Sequence, residues 1–515
     1  MNLLLRKPID RLRAETETGD TLKRSLGGWD LTFLGVGAIV GAGIFAATGS
    51  AIAGGASHPG AGPAILISFL LTAAACGLAA FCYAEFAAMV PVAGSAYTYA
   101  YASLGEILAW IIGWDLIIEY AIGNVAVAIS WSGYFSELLT YVGIHIPPWL
   151  ATDYRTAGQM AADAAAGLQV GPLAEALGSA PRILGVPVIL NLPAVLIVGF
   201  LTLLLVRGTR ESARFNMFIV ILKLAVIVFF VAVGMVYFRP ENLTAHGGFA
   251  PNGYLGISSA AAIIFFAYIG FDAVSTAAEE TKDPGKDMPF GILMSLVVCT
   301  VVYIAVALVM TGMAPWDRLG TPEPMLTALE LSGGSPTLLR VSEIVVAIGA
   351  VVAMTSVLLV FQFGQPRIFF AMARDGLLPR WAARVHPRYR TPHITTILTG
   401  VFVGVLAAFA NINEMVELTN IGTLFAFVLV SVGVLVLRRT EPERARPFRT
   451  PGSPVVPILA ALACVYLMFG LPLVTWIRFL VWLVLGGLIY FFYGRRHSVL
   501  RKESPPPGGA GEGSE

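Results

Sequence analysis

Four ionisable side chains stand inside otherwise apolar runs, and they set the chemistry open to this chain. Lys223 lies in FNMFIVILKLAVIVFFVAVGMVY, the only lysine or arginine within such a run. Asp115 and Glu119 fall in GWDLIIEYAIGN, four residues apart and so on one helix face. Asp272 follows a glycine in FFAYIGFDAVST. A charge at the centre of a bilayer costs about 2.5–3.5 kcal/mol even on the mildest scale, so such residues have work to do. Burial can lower the pKa of a lysine from about 10.4 by up to about 3–5 units, toward physiological pH. The chemistry is therefore capture and release of a proton, coupled to whatever the surrounding helices open and close. The alternatives are plainer. Lys223 could snorkel to an interface, Glu119 could be a protonated carboxyl satisfied by a neighbouring helix, and Asp272 could cap a half-helix or hold water.

The elements that position these groups are membrane spans. The chain has 515 residues, 57% hydrophobic and 13% charged, with a mean hydropathy of +0.77. Soluble domains carry about 25% charged residues. The net charge of +1 and the lack of a basic block speak against nucleic acid as a partner. Cys76, Cys82, Cys299 and Cys464 all sit in apolar stretches and read as packing residues. The leader, residues 1–30, is polar without an apolar core, which predicts a cytoplasmic segment rather than a cleaved signal peptide.

A bilayer core needs roughly 20 apolar residues per helix, which gives about twelve spans. They fall near 31–53, 63–89, 106–136, 186–206, 215–237, 257–278, 289–313, 341–370, 394–410, 414–437, 455–473 and 476–493, numbered here as spans 1 to 12. The loop 138–185 is the longest stretch between spans, with a short amphipathic helix predicted around 156–168. The tail, 494–515, reads as disordered and cytoplasmic. With the N-terminus inside, inner segments hold 26 lysines and arginines and outer segments 6. That asymmetry predicts a multi-pass protein of the inner (plasma) membrane with both termini cytoplasmic.

Two spans look broken. Span 1 reads LTFLGVGAIVGAGIFAATG, and the cluster Gly41-Ala42-Gly43 is where unwinding is expected. Span 6 is small and polar at its start, bulky at Phe265 and Phe266, and interrupted near 267–270. Unwound backbone at membrane depth is tolerated only beside protein or a water-filled cavity. Its bare N–H groups suit a carboxylate and its freed C=O groups an ammonium, and an amino-acid zwitterion presents both. Close packing through small residues is the other reading of span 1. Two interrupted spans five helices apart point to inverted repeats, here 31–237 and 257–437, with 455–493 appended. The fold class is then an all-α polytopic membrane protein, a five-plus-five inverted repeat with discontinuous helices 1 and 6.

Several motifs are longer than composition requires. GVGAIVGAGIF (35–45), YAEFAAMVPVAGSAYTYAY (83–101), GWDLIIEY (113–120), FFAYIGFDAVSTAAEE (265–280), PRIFFAMARDGLLP (366–379) and FRTPGSPVVPILA (448–460) resemble the amino acid–polyamine–organocation superfamily. Within it the chain is similar to the bacterial branch of the cationic amino acid transporter family. The resemblance implies a substrate backbone site at Ile39, Ala42 and Gly43 of span 1 and at Phe266, Ala267 and Ile269 of span 6, with Phe266 as an aromatic gate. It implies that Lys223 stands where sodium-coupled relatives hold a sodium ion, and that Glu119 lines the substrate vestibule. Ala42 departs from the pattern, because many relatives carry Ser or Thr there. On span 8, the neighbourhood of Phe361 and Gln362 is expected at the substrate level, where bulk favours small neutral side chains.

Other polar features read as structural. Glu279, Glu280, Lys282, Asp283, Lys286 and Asp287 are expected to form gate or interface salt bridges, and RDGLLPRWAARVHPRYRTPH a basic segment at the headgroups. No metal-ligand spacing, phosphate loop or catalytic constellation appears, so enzyme activity and a cofactor are not expected, and the coupling ion is a proton. The leading expectation is a secondary active transporter, a proton-coupled symporter of small neutral and possibly cationic L-amino acids. An exchanger of cationic amino acids, an amino acid sensor and a passive channel are the competing readings. Expected partners are the substrate, the proton and the lipid bilayer, and the sequence leaves open a small membrane protein or a second copy.

Overall fold

A computed structural model describes residues 4–12, 24–55, 58–90, 95–165, 172–208 and 213–503. Among them eight helices are long and apolar enough to cross a membrane, and a further bent pair, Gly28–Ile39 with Gly43–Ala53, turns by 44°. Three shorter apolar helices, Leu192–Arg207, His393–Phe409 and Val455–Phe469, lie at expected spans 4, 9 and 11. The protein is thus an all-helical, multi-pass membrane protein. The only strands among the described residues are two-residue pairs in loops, Gly54–Gly55 with His58–Pro59 and Arg182–Ile183 with Val186–Pro187.

Local sequence explains how individual spans begin. Span 4 starts at Asn191, whose side-chain oxygen accepts the Ala194 N–H at 3.2 Å, and Pro193 occupies the first turn. Span 3 runs from Glu106 to Tyr141 and is buried over 89% of its most apolar window, as is span 6. The last helix is buried over only 22% of its window. Spans 3 and 6 therefore stand at the centre, and span 12 shows Leu480, Val481, Val484 and Leu488 to lipid. Span 12 is fastened to span 3 by tryptophans. Trp110 Nε1 donates to Gly486 O and Trp114 Nε1 to Trp482 O, each at 2.9 Å, and the rings of Trp114 and Trp482 stack at 4.5 Å. In hydrocarbon these indole N–H groups have no water to turn to, so carbonyl partners are obligatory.

Residues 4–12 and 494–503 lie at one end of the bundle. Asp375, just beyond span 8, accepts from Lys7 Nζ at 3.0 Å, from Tyr97 Oη at 2.6 Å and, through its carbonyl, from the Val499 N–H at 3.0 Å. Buried Glu106 accepts from Tyr490 Oη at 2.8 Å, Arg501 Nε at 2.6 Å and the Ser498 hydroxyl. The first part of the expected tail, residues 494–503, is consequently largely helical and docked rather than disordered, because Ser498 and Arg501 are held on Glu106. Residues 504–515 of that tail, and 13–23 of the leader, lie outside the described residues.

Two of the sequence motifs meet at a third carboxylate. Glu85 of span 2 is 1% exposed and takes a two-pronged grip from Arg438, at 3.0 and 2.6 Å, plus the Thr450 N–H at 2.8 Å. Arg446 approaches it at 3.4 Å. Removing one partner of such a buried pair costs about 3–5 kcal/mol, because the other charges are left without compensation. Glu85→Ala is therefore expected to lower the melting temperature of the detergent-solubilised protein by several degrees. An unshifted melting curve would refute the role given to Glu85.

Candidate functional site

Both expected breaks are present, each beside a close backbone crossing. In span 1 the helix Gly28–Ile39 ends and Val40 is extended, at φ −75° and ψ 100°. A π turn over Gly43–Ala47 then opens the second half. In span 6 the helix Gly253–Ile264 tightens into a 3₁₀ turn at Phe265–Tyr268. Ile269 is extended, and Gly270 adopts φ +120°, a conformation side-chain-bearing residues rarely take. A Cβ on Gly43 would lie 2.2 Å from the Ala267 Cα, and one on Gly270 would lie 2.9 Å from the Ala38 carbonyl carbon. The two interrupted helices touch through naked backbone at these two places.

Polar side chains, all but Thr48 of span 1 itself from other spans, satisfy the groups that the breaks release. The end of a helix leaves carbonyls without intrahelical donors. At the end of the first half of span 1, Lys223 Nζ donates to Gly37 O at 2.7 Å and Val40 O at 3.1 Å. Tyr303 Oη donates to Ile39 O at 3.1 Å. In the second half, Tyr134 Oη donates to Phe45 O at 2.6 Å and Thr48 Oγ1 to Gly43 O at 2.9 Å. On span 6, Asn420 Nδ2 bridges Ala262 O at 2.8 Å and Ile263 O at 2.9 Å. Lys223 is wholly buried. It points into the protein at the end of a half-helix, where the helix dipole favours positive charge.

The acidic groups gather on the other side. Glu119 sits in a π turn, Ile118–Ile122, of span 3, and Asp272 heads the second half of span 6. Their carboxyl groups lie within hydrogen-bonding reach of one another, with Thr423 also beside Glu119. Both are buried, at 3% and 0% exposure. Neither oxygen of Asp272 nor of Asp115 meets a well-aligned donor among the described residues. Asp115 faces span 10, close to Gly422.

Ile39, Ala42, Gly43, Phe266, Ala267 and Ile269 come together around the two breaks, and each is buried. On span 8, Phe361 packs on Tyr120 with ring centroids 5.7 Å apart. Gln362 turns away and donates to Val198 O at 3.3 Å and to the Thr202 hydroxyl, both on span 4. Adjacent helix residues diverge by about 100°, so Phe361 and Gln362 face different neighbours. Of the six charges after span 6, Lys286 pairs with Asp283 at 3.8 Å, an exposed contact worth little.

Tyr303, Tyr134 and Asn420 escaped the sequence reading. Each is one polar residue among several in its helix, and the sequence does not say which carbonyl is in need.

At the end opposite the termini, the helix Pro324–Leu331 begins with Glu323, which fills the space where Gly133 lacks a side chain. Burial pushes the Glu323 carboxyl up to about 8, and Glu137 and Glu330 add repulsion. A carboxyl raised above its unfolded value holds its proton in the native state while the unfolded chain has lost it. Its stabilisation is complete below about pH 4.3 and is lost as pH rises through about 8. Melting temperatures should accordingly fall across that window, and Glu323→Gln should flatten the fall. An unchanged slope in that variant would remove Glu323 from the account.

Residues 26–493 match the family model described as Amino acid permease. The branched-chain amino acid permease BcaP of Bacillus subtilis (strain 168) is 46% identical over 96% of this chain and 98% of its own length. The methylthioribose transporter of the same organism is 43% identical over 97% of this chain and 100% of its own. Cationic amino acid transporter 4 of Homo sapiens is 36% identical over 87% of this chain and 64% of its own. Broken helices with a buried lysine on their carbonyls, together with matches that run nearly end to end, give one conclusion: this chain is a member of the amino acid permease family, within the amino acid–polyamine–organocation superfamily.

Proposed function

We propose that the protein is a proton-coupled symporter of neutral L-amino acids, working by alternating access across a plasma membrane with both termini cytoplasmic. The supporting observation is the Lys223 ammonium held on Gly37 O and Val40 O at the break of span 1. In this reading the bent pair, the eight long helices and the three short ones make twelve crossings, in a five-plus-five repeat with two appended helices. Docking of Lys7 and Val499 on the same residue, Asp375, supports an even number of crossings.

The leading N–H groups of the second half of span 1, at Ala42 and Gly43, receive the substrate carboxylate, since a helix start has unpaired donors and a positive dipole end. The ammonium goes to carbonyls at Ile39, Phe266, Ala267 and Ile269. Ile39 O already accepts from Tyr303, but a carbonyl has a second lone pair. These groups are buried at 5% exposure or less, so substrate reaches them only after half-helices swing. Protonated Lys223 ties the first half of span 1 down. Loss of its proton removes the charge on the dipole end and frees that half to tilt. Glu119 and Asp272 hold one proton between them, because two touching carboxylates cannot both ionise in a dry site. The charge that remains on this pair stays between the two carboxyl groups, and Asp115 faces span 10 beside Gly422, which favours neutral substrates. The 46% identity to a branched-chain permease supports leucine, isoleucine and valine among them.

The test is uptake by purified protein in liposomes. Acid outside should drive L-leucine above its external concentration, and a protonophore should abolish the accumulation. L-arginine and methylthioribose serve as competitors. Counterflow that ignores the pH gradient would replace symport with exchange.

A further inference from the structure

We infer that the outer vestibule above span 1 is a second binding site for an amino-acid zwitterion, a staging site that fills before the central one. The inference rests on the transport reading above. A cavity of about 480 Å³ opens here, within the usual size of small-molecule sites. Ala46 and Ala47, one turn beyond Gly43, line its inner side, and the helix Tyr154–Ala165 contributes Arg155 and Gln159. Glu414, Glu417 and Arg478 form another wall.

The charges are arranged for a dipolar guest. Arg478 Nη2 meets Glu414 Oε1 at 2.9 Å, and Arg155 Nη1 meets the same oxygen. Each guanidinium carries five N–H donors. Two of them converging on one oxygen therefore leave capacity for a second oxyanion, such as an α-carboxylate. Glu417 lies three residues further along span 10, on the same face and one turn deeper. Its carboxylate is 6% exposed and is fixed by Thr475 Oγ1 at 2.7 Å. Guanidinium groups at the mouth and a carboxylate one turn below match a carboxylate and an ammonium on one carbon. A simple anion would satisfy the first alone, and an amine only the second. Asn411 Nδ2 donates to Thr156 Oγ1 at 3.1 Å, which ties the covering helix to the wall that bears both carboxylates.

Equilibrium dialysis with L-[³H]leucine on the detergent-purified protein tests this. The wild type should bind two per protomer, and Gly43→Val, which closes the central crossing, should bind one. That remaining site should weaken about tenfold in Arg478→Gln and in Arg155→Gln, as expected for one charge-assisted hydrogen bond. Arg155 is 68% exposed on a loop helix, so its variant guards against misfolding in the other. Leucinamide and 4-methylpentanoate, each lacking one charge, should compete poorly. Wild type saturating at one, with that site lost in Gly43→Val and untouched in both arginine variants, would overturn the vestibule and leave the transport reading standing. One site that survives Gly43→Val and is lost with the arginines would uphold the vestibule and sink the central assignment. Competition by 4-methylpentanoate equal to leucine would reduce the vestibule to an anion site, and absence of any binding would overturn both.

Discussion

Methionine in place of Lys223 is expected to abolish pH-driven accumulation of L-leucine in liposomes while leaving measurable binding. The side chain keeps its length and loses its charge, so Gly37 O and Val40 O lose the donor now 2.7 and 3.1 Å away. An acceptor stripped of its partner in a dry site costs about 1–3 kcal/mol. The state in which the first half of span 1 is tied down thus loses about a tenfold to hundredfold preference. Its equilibrium no longer responds to a proton at this position. Accumulation ratios should fall to about one across an imposed gradient of two pH units, with counterflow persisting. A variant that still concentrates leucine with the wild-type pH dependence would show that the coupling proton resides elsewhere, with the Glu119–Asp272 pair as the next candidate.

The second large effect is expected at Gly43. Any β-carbon there would approach the Ala267 Cα to 2.2 Å and its nitrogen to 2.8 Å. These atoms are backbone and cannot rotate aside. Valine must push the two broken helices apart, and overpacking of this kind costs about 1–3 kcal/mol. In the proposed central site the groups offered to substrate are peptide groups of the same two segments, so central binding should weaken about tenfold to hundredfold. Gly77→Ala is the control: its β-carbon meets nothing within 4 Å, so binding should be unchanged. Equal binding by Gly43→Val and the wild type would disprove that this crossing belongs to the site.

Much of this arrangement was legible because hydrocarbon is an unforgiving solvent. Lys223 announced itself because a cation is rare in a run such as FIVILKLAVIV, and the glycines around Gly41 and at Gly270 marked where helices could stop. Span positions followed from hydropathy, although Leu192–Arg207 and Val455–Phe469 are shorter than the runs that suggested them. The π turn at Ile118–Ile122 left no trace, since IEYAI is an ordinary helical string and the bulge is set by packing. The partners of Gln362 on span 4 stay hidden in the sequence, because depth along a helix can be counted from it, whereas azimuth depends on neighbours. The sequence leaves Asp272 open as cap or functional group, and the approach of Glu119 from another span is a tertiary contact that no local pattern encodes.

The knot at Asp375 bears on how the chain is made. Its ligands come from residues 7, 97 and 499, so the last cannot arrive until residue 499 has left the ribosome. Glu106 likewise waits for Ser498 and Arg501. Until then both carboxylates lack these partners, and a nascent chain stalled before residue 494 would never fasten the clasp.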